Sequence, residues 1–169
     1  RPTVTVNDAT ICEGDAAATF TATSATATGW SWSDNGSGTE QTTTGTTAGS
    51  YTVVVTDVNT CTSLPASGTL TVNARPTVTV NDATICEGDA AATFTATSTT
   101  ATAWSWSENG SGTEQTTTGT AAGSYTVVVT DGNTCTSLPA SGTLTVNARP
   151  TVTVNDATIC EGDAAAIFT

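Results

Sequence analysis

A segment running from Arg1 to Asp15 recurs without change at Arg75 and again at Arg149, so the chain is a tandem array with a period of 74 residues. We divide it into repeat 1 (1–74), repeat 2 (75–148) and the start of a third repeat (149–169). The two complete repeats differ only at Ala25/Thr99, Gly29/Ala103, Asp34/Glu108, Thr47/Ala121 and Val58/Gly132. Units this similar stack with one repeated geometry, as an architectural polymer requires. Because the third copy stops within a predicted strand, we expect a longer parent protein.

Each repeat alternates apolar and polar residues with a period of two, and the alternating positions are rich in Thr, Val, Trp and Tyr, which is typical of β-strands. The clearest strand is 51–57, and no segment has a helical period. Six or seven short strands with one apolar face each are best buried in a two-sheet sandwich. The sequence therefore predicts an all-β fold of tandem immunoglobulin-like antiparallel sandwiches, here called beads, arranged end to end as a rod.

The inward-facing positions define the expected core of the first bead. Trp30 has the parity of Trp32 but lies nearer the strand end, so we expect it to be partly exposed. The Gly49-Ser50-Tyr51 segment resembles the tyrosine corner of such sandwiches. The predicted core, with its equivalents 74 residues later, is Val4, Val6, Ile11, Phe20, Ala22, Trp32, Tyr51, Val53, Val55, Leu70 and Val72.

The connection between the beads is very short. Val72 and Val78 are joined by 73–77 alone, and Pro76 stiffens this segment by restricting its own φ and the conformation of Arg75. Consecutive beads are therefore expected to touch and to keep a preferred angle, each adding roughly 30–40 Å to a semi-rigid rod.

Cysteines recur at fixed positions in repeats near the lower size limit for independent folding. This usage indicates disulfides formed in an oxidising compartment. Two pairings remain open: one within each bead, because the cysteines are close in sequence, and one between beads, because the two loops of one bead lie at opposite poles. A third alternative is that the cysteines are buried free thiols. The cysteines are Cys12, Cys61, Cys86, Cys135 and Cys160, paired as Cys12–Cys61 with Cys86–Cys135, or as Cys12–Cys135.

The charge balance excludes several classes of function. The net charge is −12, with no lysine or histidine, so no basic surface is available for nucleic acid or an anionic bilayer. No apolar run is long enough for a membrane span or a signal peptide. Without histidine or lysine, only carboxylates could act as acid and base, and nothing apolar flanks Glu13 and Asp15 to raise a pKa. We expect a non-enzyme without a cofactor, kept soluble by its acidity.

One candidate metal site lies at the expected junction. Asn7, Asp8, Glu13 and Asp15 would crowd one pole of a bead, facing 131–133 of the next. Such oxygen-rich clusters favour calcium, although the spacing is not that of an EF-hand and Arg75 could neutralise the cluster instead. The candidate ligands are Asp8, Glu13, Asp15, Asp131 and Asn133.

Two further motifs have competing interpretations. Asn35-Gly36-Ser37 and its copy Asn109-Gly110-Ser111 match an N-glycosylation acceptor, but the same letters favour a tight turn. Trp30 and Trp32 could stack on a sugar ring, whereas packing in the core is the commoner role.

Four motifs carry a resemblance to a known group: 11–15 (ICEGD), 30–33 (WSWS), 48–57 (AGSYTVVVTD) and 59–61 (NTC). Together they resemble the Ig-like and PKD-like tandem repeats of large Bacteroidota surface adhesins, including the SprB-repeat family of gliding-motility adhesins. The resemblance implies long extracellular stalks or filaments, exported by a dedicated secretion system, with adhesion assigned to other segments. Thr60 departs from the glycine usual before the cysteine in that family.

The predicted function is a structural repeat of an extracellular filament or giant adhesin on a bacterial surface, acting as a stiff, disulfide-stabilised stalk. Without lysine, lysine–asparagine isopeptide bonds cannot reinforce it. Its partners would be the neighbouring repeats of the same chain. Other copies of the chain would pack laterally through exposed sheet edges, near positions such as Ile167. The alternative is a carbohydrate-binding or spacer module of a secreted polysaccharide hydrolase.

Overall fold

The computed structural model describes residues 1–167, and each complete repeat forms a bead of seven strands. Period-two alternation places one face of each strand inward, as the burial of every second residue in the long strands shows. Repeat 1 contains β1 (Thr5–Val6), β2 (Ala9–Cys12), β3 (Ala18–Thr23), β4 (Ala27–Asp34), β5 (Thr42–Gly45), β6 (Gly49–Asp57) and β7 (Ala66–Asn73). Repeat 2 contains β8 (Thr79–Val80), β9 (Ala83–Cys86), β10 (Ala92–Thr97), β11 (Ala101–Glu108), β12 (Thr116–Gly119), β13 (Gly123–Asp131) and β14 (Ala140–Asn147).

Two sheets face each other in each bead. In the first bead their strand orders are β1-β3-β5 and β2-β7-β6-β4, and in the second β8-β10-β12 and β9-β14-β13-β11. This arrangement confirms the predicted immunoglobulin-like sandwich. Within the described part of the chain there is no helix of the length and hydropathy needed to cross a bilayer.

The sandwich differs from the prediction in one pairing, since β2 runs parallel to β7 while the other pairs are antiparallel. The first strand of the repeat divides at Asn7 and Asp8 and crosses from one sheet to the other. The Asn7 side chain accepts a hydrogen bond from Thr21 N (2.7 Å) and donates one to Thr19 O (3.1 Å). Asp8 Oδ1 accepts one from Thr69 N in the opposite sheet (2.8 Å). Adjacent side chains therefore hold the crossover to both sheets.

Gly68 is required by the same crossover. A Cβ atom there would collide with the backbone oxygen of Asn7, and backbone cannot move aside as a flexible side chain can. Gly142 is placed in the same way against Asn81. The close approach of β7 to the first strand therefore depends on a residue without a side chain.

The core consists of the predicted residues. Phe20 and Tyr51 stack with their ring centroids 4.1 Å apart, and the Tyr51 hydroxyl donates to Thr47 O (3.0 Å), which confirms the tyrosine corner. Trp30 is partly buried, as expected. The fully buried cluster is Phe20, Ala22, Trp32, Tyr51, Val53, Val55 and Leu70, and repeat 2 buries its equivalents. The other predicted core residues, Val4, Val6, Ile11 and Val72, pack against this cluster and are partly buried.

The Asn35-Gly36-Ser37 segment forms the connection after β4. Gly36 N donates to Ser33 O (3.1 Å), and the Asn35 side-chain amide donates to Ala48 O (3.3 Å). Both bonds fold the backbone locally, in agreement with the turn interpretation.

Candidate functional site

A disulfide joins the two beads. Cys12 of the first bead is bonded to Cys135 of the second, with their Cα atoms 5.6 Å apart and a sequence separation of 123. Cys61, Cys86 and Cys160 are exposed free thiols. Of the two pairings left open by the sequence, the structure contains the one between beads, and the pairing within each bead is absent.

The topology explains why Cys12 and Cys61 do not pair. Cys12 ends β2, and β2 runs parallel to β7, so Cys12 lies beside Asn73 at the end of β7. Cys61 lies in the loop that precedes β7. Eight strand residues at ~3.3 Å each separate these two ends, whereas a disulfide needs Cα atoms within about 7 Å. We call the end with Cys12 the C pole of the bead and the end with Cys61 the N pole.

Asp131 shapes the loop that presents Cys135 at the N pole of the second bead. Its Oδ1 atom accepts hydrogen bonds from Asn133 N and Cys135 N, both at 2.9 Å, and its backbone N donates to Cys135 O (3.0 Å). The intervening Thr134 adopts a left-handed φ of 64°. A buried carboxylate therefore closes the turn and fixes the backbone of the bonded cysteine.

Asp15 has the same role at the C pole of the first bead. Asp15 Oδ2 accepts a hydrogen bond from Cys12 N, and Asp15 N donates to Cys12 O, both at 3.0 Å. Gly14 between them has a φ of 80°. Both cysteines of the disulfide are thus held by a carboxylate of their own bead.

The linker is fixed by Arg75, which folds back over the first bead. Its Nε donates to Glu13 O, and its guanidinium lies 3.4 Å from Asp15 Oδ1. The carboxylate that positions Cys12 therefore also binds the linker. This geometry joins the disulfide and the peptide connection in one small structure.

The predicted calcium site is not assembled. Among residues 1–167, no three His, Cys, Asp or Glu side chains are grouped in a way that could hold a metal ion. Asp8 accepts from Thr69 N, Asp15 binds Cys12 N and Arg75, and Asp131 closes its own turn. These carboxylates serve backbone amides and one guanidinium. Calcium binding by these residues stays a prediction of the sequence.

A groove follows the linker on one side of the junction. Pro76 of the linker and Val78 just after it line the groove. Leu138 and Pro139 of the second bead and Gly14 of the first also line it. A matching groove at the N pole of the first bead, which has no bonded neighbour, contains Pro2 and Leu64. Sequence reasoning missed this groove because Leu138 belongs to no alternating strand, and it remains 72 % exposed.

Trp30 does not form an exposed platform for a sugar. It packs against the core, and its Nε1 atom is buried without a hydrogen-bond partner. Trp32 is buried and donates from Nε1 to Glu40 O (2.9 Å). Both indoles therefore belong to the packing of the bead.

The comparisons with known proteins give similarity in fold only. No family model and no curated protein matches the chain. Among solved structures, the fibronectin(III)-like modules of Clostridium thermocellum CbhA are 16 % identical, with 88 % of this chain and 95 % of that one covered and a TM-score of 0.42. The I9–I11 tandem of titin is 19 % identical, with coverages of 88 % and 66 % and a TM-score of 0.45.

A third match, the four N-terminal Ig domains of Dscam1 isoform 9.44, is 16 % identical, with 86 % of this chain and 46 % of that one covered and a TM-score of 0.36. The chain thus spans about two thirds of the titin fragment and less than half of the Dscam1 fragment. Similarity at this level assigns neither a family nor a function. The strand order described above is what defines the immunoglobulin-like class.

Proposed function

We infer that this chain is a structural segment of an extracellular stalk or filament, in which beads joined end to end hold a long, stiff shape. The observation that carries the proposal is the junction, where a peptide linker and a disulfide connect the same two beads. A recognition module would gain little from a covalent lock between identical neighbours. A load-bearing or distance-keeping element gains stiffness from it.

Three properties support an extracellular location. The beads are joined by a disulfide, and disulfides form and persist in oxidising compartments and are rare in the cytosol. The chain lacks lysine and has a net charge of −12, so neighbouring stalks repel one another and resist clumping. The disulfide ring, which joins cysteines 123 positions apart, also restrains unfolding, which favours survival among proteases.

A bacterial cell surface is the specific setting we propose. The sequence motifs resemble the tandem repeats of Bacteroidota surface adhesins, whose stalks are built from many such units. In this setting the repeats would act as a spacer, with adhesion carried by another part of the protein. Lateral pairing of stalks through exposed sheet edges remains a further prediction.

Immunogold electron microscopy of the source cells tests the proposal. Antibodies raised against residues 1–148 should label thin fibrils at the cell surface along their whole length. Fibrils one bead wide would argue against lateral pairing, and thicker fibres would support it. Labelling confined to the cytoplasm would contradict the proposal.

A binding assay separates the stalk from the carbohydrate-binding alternative. The purified chain is passed over insoluble polysaccharides, and the stalk proposal predicts no retention. Retention that disappears in Trp30→Ala, while near-ultraviolet circular dichroism shows an intact core, would favour the alternative.

A further inference from the structure

We propose that the interbead disulfide recurs at every junction and gives the array two parallel load paths that bypass four of the seven strands of each bead. This inference deepens the proposed stalk function by naming how the stalk resists tension. It begins with the free thiols. Cys61 and Cys86 are the counterparts of Cys135 and Cys12, and they lie at the two poles that have no bonded neighbour.

The repeat supplies the pairing rule. Cys12 bonds a cysteine 123 residues later, and a period of 74 carries this relation to every repeat. Cys86 would therefore bond the counterpart of Cys135 in the following repeat, and Cys61 the counterpart of Cys12 in the preceding one. The loops needed for this are already formed, because Asp57 and Asp89 hold Cys61 and Cys86 as their equivalents hold the bonded pair.

The shortest covalent route through such an array avoids most of each bead. From Cys135 the chain passes along β14, the next linker and the start of the third repeat to Cys160, a stretch of about 25 residues. A disulfide then leads from Cys160 to the counterpart of Cys135 in the fourth repeat. The stretch from Cys61 to Cys86 has the same length and belongs to the alternate path. The strands between Cys86 and Cys135, β10 to β13, lie on neither path.

The two paths run side by side within a bead. In the second bead β9 carries one path and β14 the other, and these strands are paired in parallel, with Cys86 opposite Asn147. Tension therefore enters both strands in the same direction. At the junction the disulfide and the linker also act in parallel, so neither connection carries the whole load.

This geometry limits extension. A path of about 25 residues reaches at most ~80–90 Å for two beads, or ~40–45 Å for each bead. A folded bead already spans roughly 30–40 Å. An oxidised array therefore cannot lengthen by unfolding its cores, whereas a reduced array can release every bead.

Single-molecule force spectroscopy on this chain tests the mechanism, with handles at Arg1 and Thr169. With the disulfide intact, the direct path contains about 45 residues, because the ring from Cys12 to Cys135 is bypassed. The expected maximum extension is ~150–160 Å. The double variant Cys12→Ser/Cys135→Ser should extend to ~550–600 Å, and Cys86→Ser, which removes a free thiol, should behave as the parent.

Two results would overturn the proposal. Disulfides within each bead would leave about 70 residues in the path and give ~230–250 Å. A parent chain that extends as far as the double variant would show that no ring bears load. Neither result depends on where the protein is located in the cell. The mechanism can therefore fail while the surface location holds, and the surface location can fail while the mechanism holds.

Thiol labelling tests the recurrence along the array. In the 169-residue chain, a maleimide should label Cys61, Cys86 and Cys160. In fibrils isolated from source cells, the interior counterparts of these cysteines should be protected until a reductant is added. Interior labelling without reductant would contradict the recurring disulfide.

Discussion

The closed junction is where the disulfide joins the two beads, and the open poles are the N pole of the first bead and the C pole of the second. They present nearly the same amino acids in two different environments. Cys135 is fully buried at the junction, whereas its counterpart Cys61 is exposed at the open N pole. Cys12 is partly buried and bonded, whereas Cys86 is exposed and free. Since the repeats differ at only five positions, the difference arises chiefly from the presence of a neighbouring bead.

The contact of the linker arginine with the preceding bead, Arg75 with Asp15 or Arg149 with Asp89, is here called the linker clamp, and it forms with or without a bonded neighbour. Arg149 contacts Asp89 (2.7 Å) at the open C pole much as Arg75 contacts Asp15 at the closed one. The side-chain exposure of Arg149 is 59 %, against 29 % for Arg75. The arginine–aspartate contact is thus present in both environments, and the disulfide adds a second connection at the closed junction.

Removing the disulfide should have the largest effect, because it converts the closed junction into two open poles. Cys12→Ser/Cys135→Ser is expected to lower the free energy of unfolding by about 4–5 kcal/mol over both beads, since the ring restrains a long segment of the unfolded chain. Urea denaturation followed by tryptophan fluorescence measures this. Cys86→Ser is the matched control and should leave the midpoint unchanged. An equal midpoint for the double variant and the parent would contradict the role of the disulfide.

Removing the loop carboxylate should distinguish the two N poles. Asp131→Ala deletes two charge-assisted hydrogen bonds in a buried site, and a loss of roughly 2–4 kcal/mol is expected in the second bead. Asp57→Ala deletes the same bonds in a more exposed loop, where water replaces part of them, so about 1–2 kcal/mol is expected in the first bead.

Hydrogen exchange read by mass spectrometry assigns these losses to the correct bead. The comparison is made with the disulfide intact, so that the junction stays closed and only the loop changes. Equal losses for Asp131→Ala and Asp57→Ala would mean that the neighbouring bead does not shield the turn.

How far the amino-acid sequence predicts this molecule depends on the range of the interaction. The alternation in 51–57 predicted a strand and its buried face, and Tyr51 predicted the corner, because both depend on neighbouring residues. The choice between the two disulfide pairings could not be made from the sequence, since Cys12 and Cys135 come together only through the packing of two beads. The roles of Asp8 and Asp15 were missed because a carboxylate that binds a backbone amide has the same sequence signal as one that binds calcium.

Removing the linker clamp should have a smaller effect on stability. Arg75→Ala loses a partly exposed ion pair, and at most about 1 kcal/mol is expected. In the background without the disulfide, however, it should broaden the distribution of distances between the two beads. Single-molecule fluorescence transfer between dyes on the two beads measures this. Arg149→Ala is the control and should leave that distribution unchanged, because Arg149 lies beyond both beads.

Relieving the left-handed threonine should have the smallest effect and should be the same at both poles. Thr134 and Thr60 have φ values of 64° and 63°, a region that disfavours β-branched residues. Thr134→Gly and Thr60→Gly are each expected to stabilise their bead by about 0.5–1 kcal/mol. Thermal unfolding with the disulfide intact, followed by hydrogen exchange in each bead, measures the gain. A gain at only one pole would show that the strain depends on the junction.

Peptide mapping under non-reducing conditions tests the interbead disulfide most directly. After free thiols are alkylated, cleavage on the carboxyl side of glutamate places Cys12 in fragment 1–13, Cys61 and Cys86 in 41–87, and Cys135 and Cys160 in 115–161. Tandem mass spectrometry of each linked fragment then shows which of its cysteines is alkylated and which carries the disulfide. The structure predicts that 1–13 is linked to 115–161 through Cys135, with Cys160 alkylated. A link between 1–13 and 41–87 through Cys61 would instead place the disulfide within one bead and contradict the account.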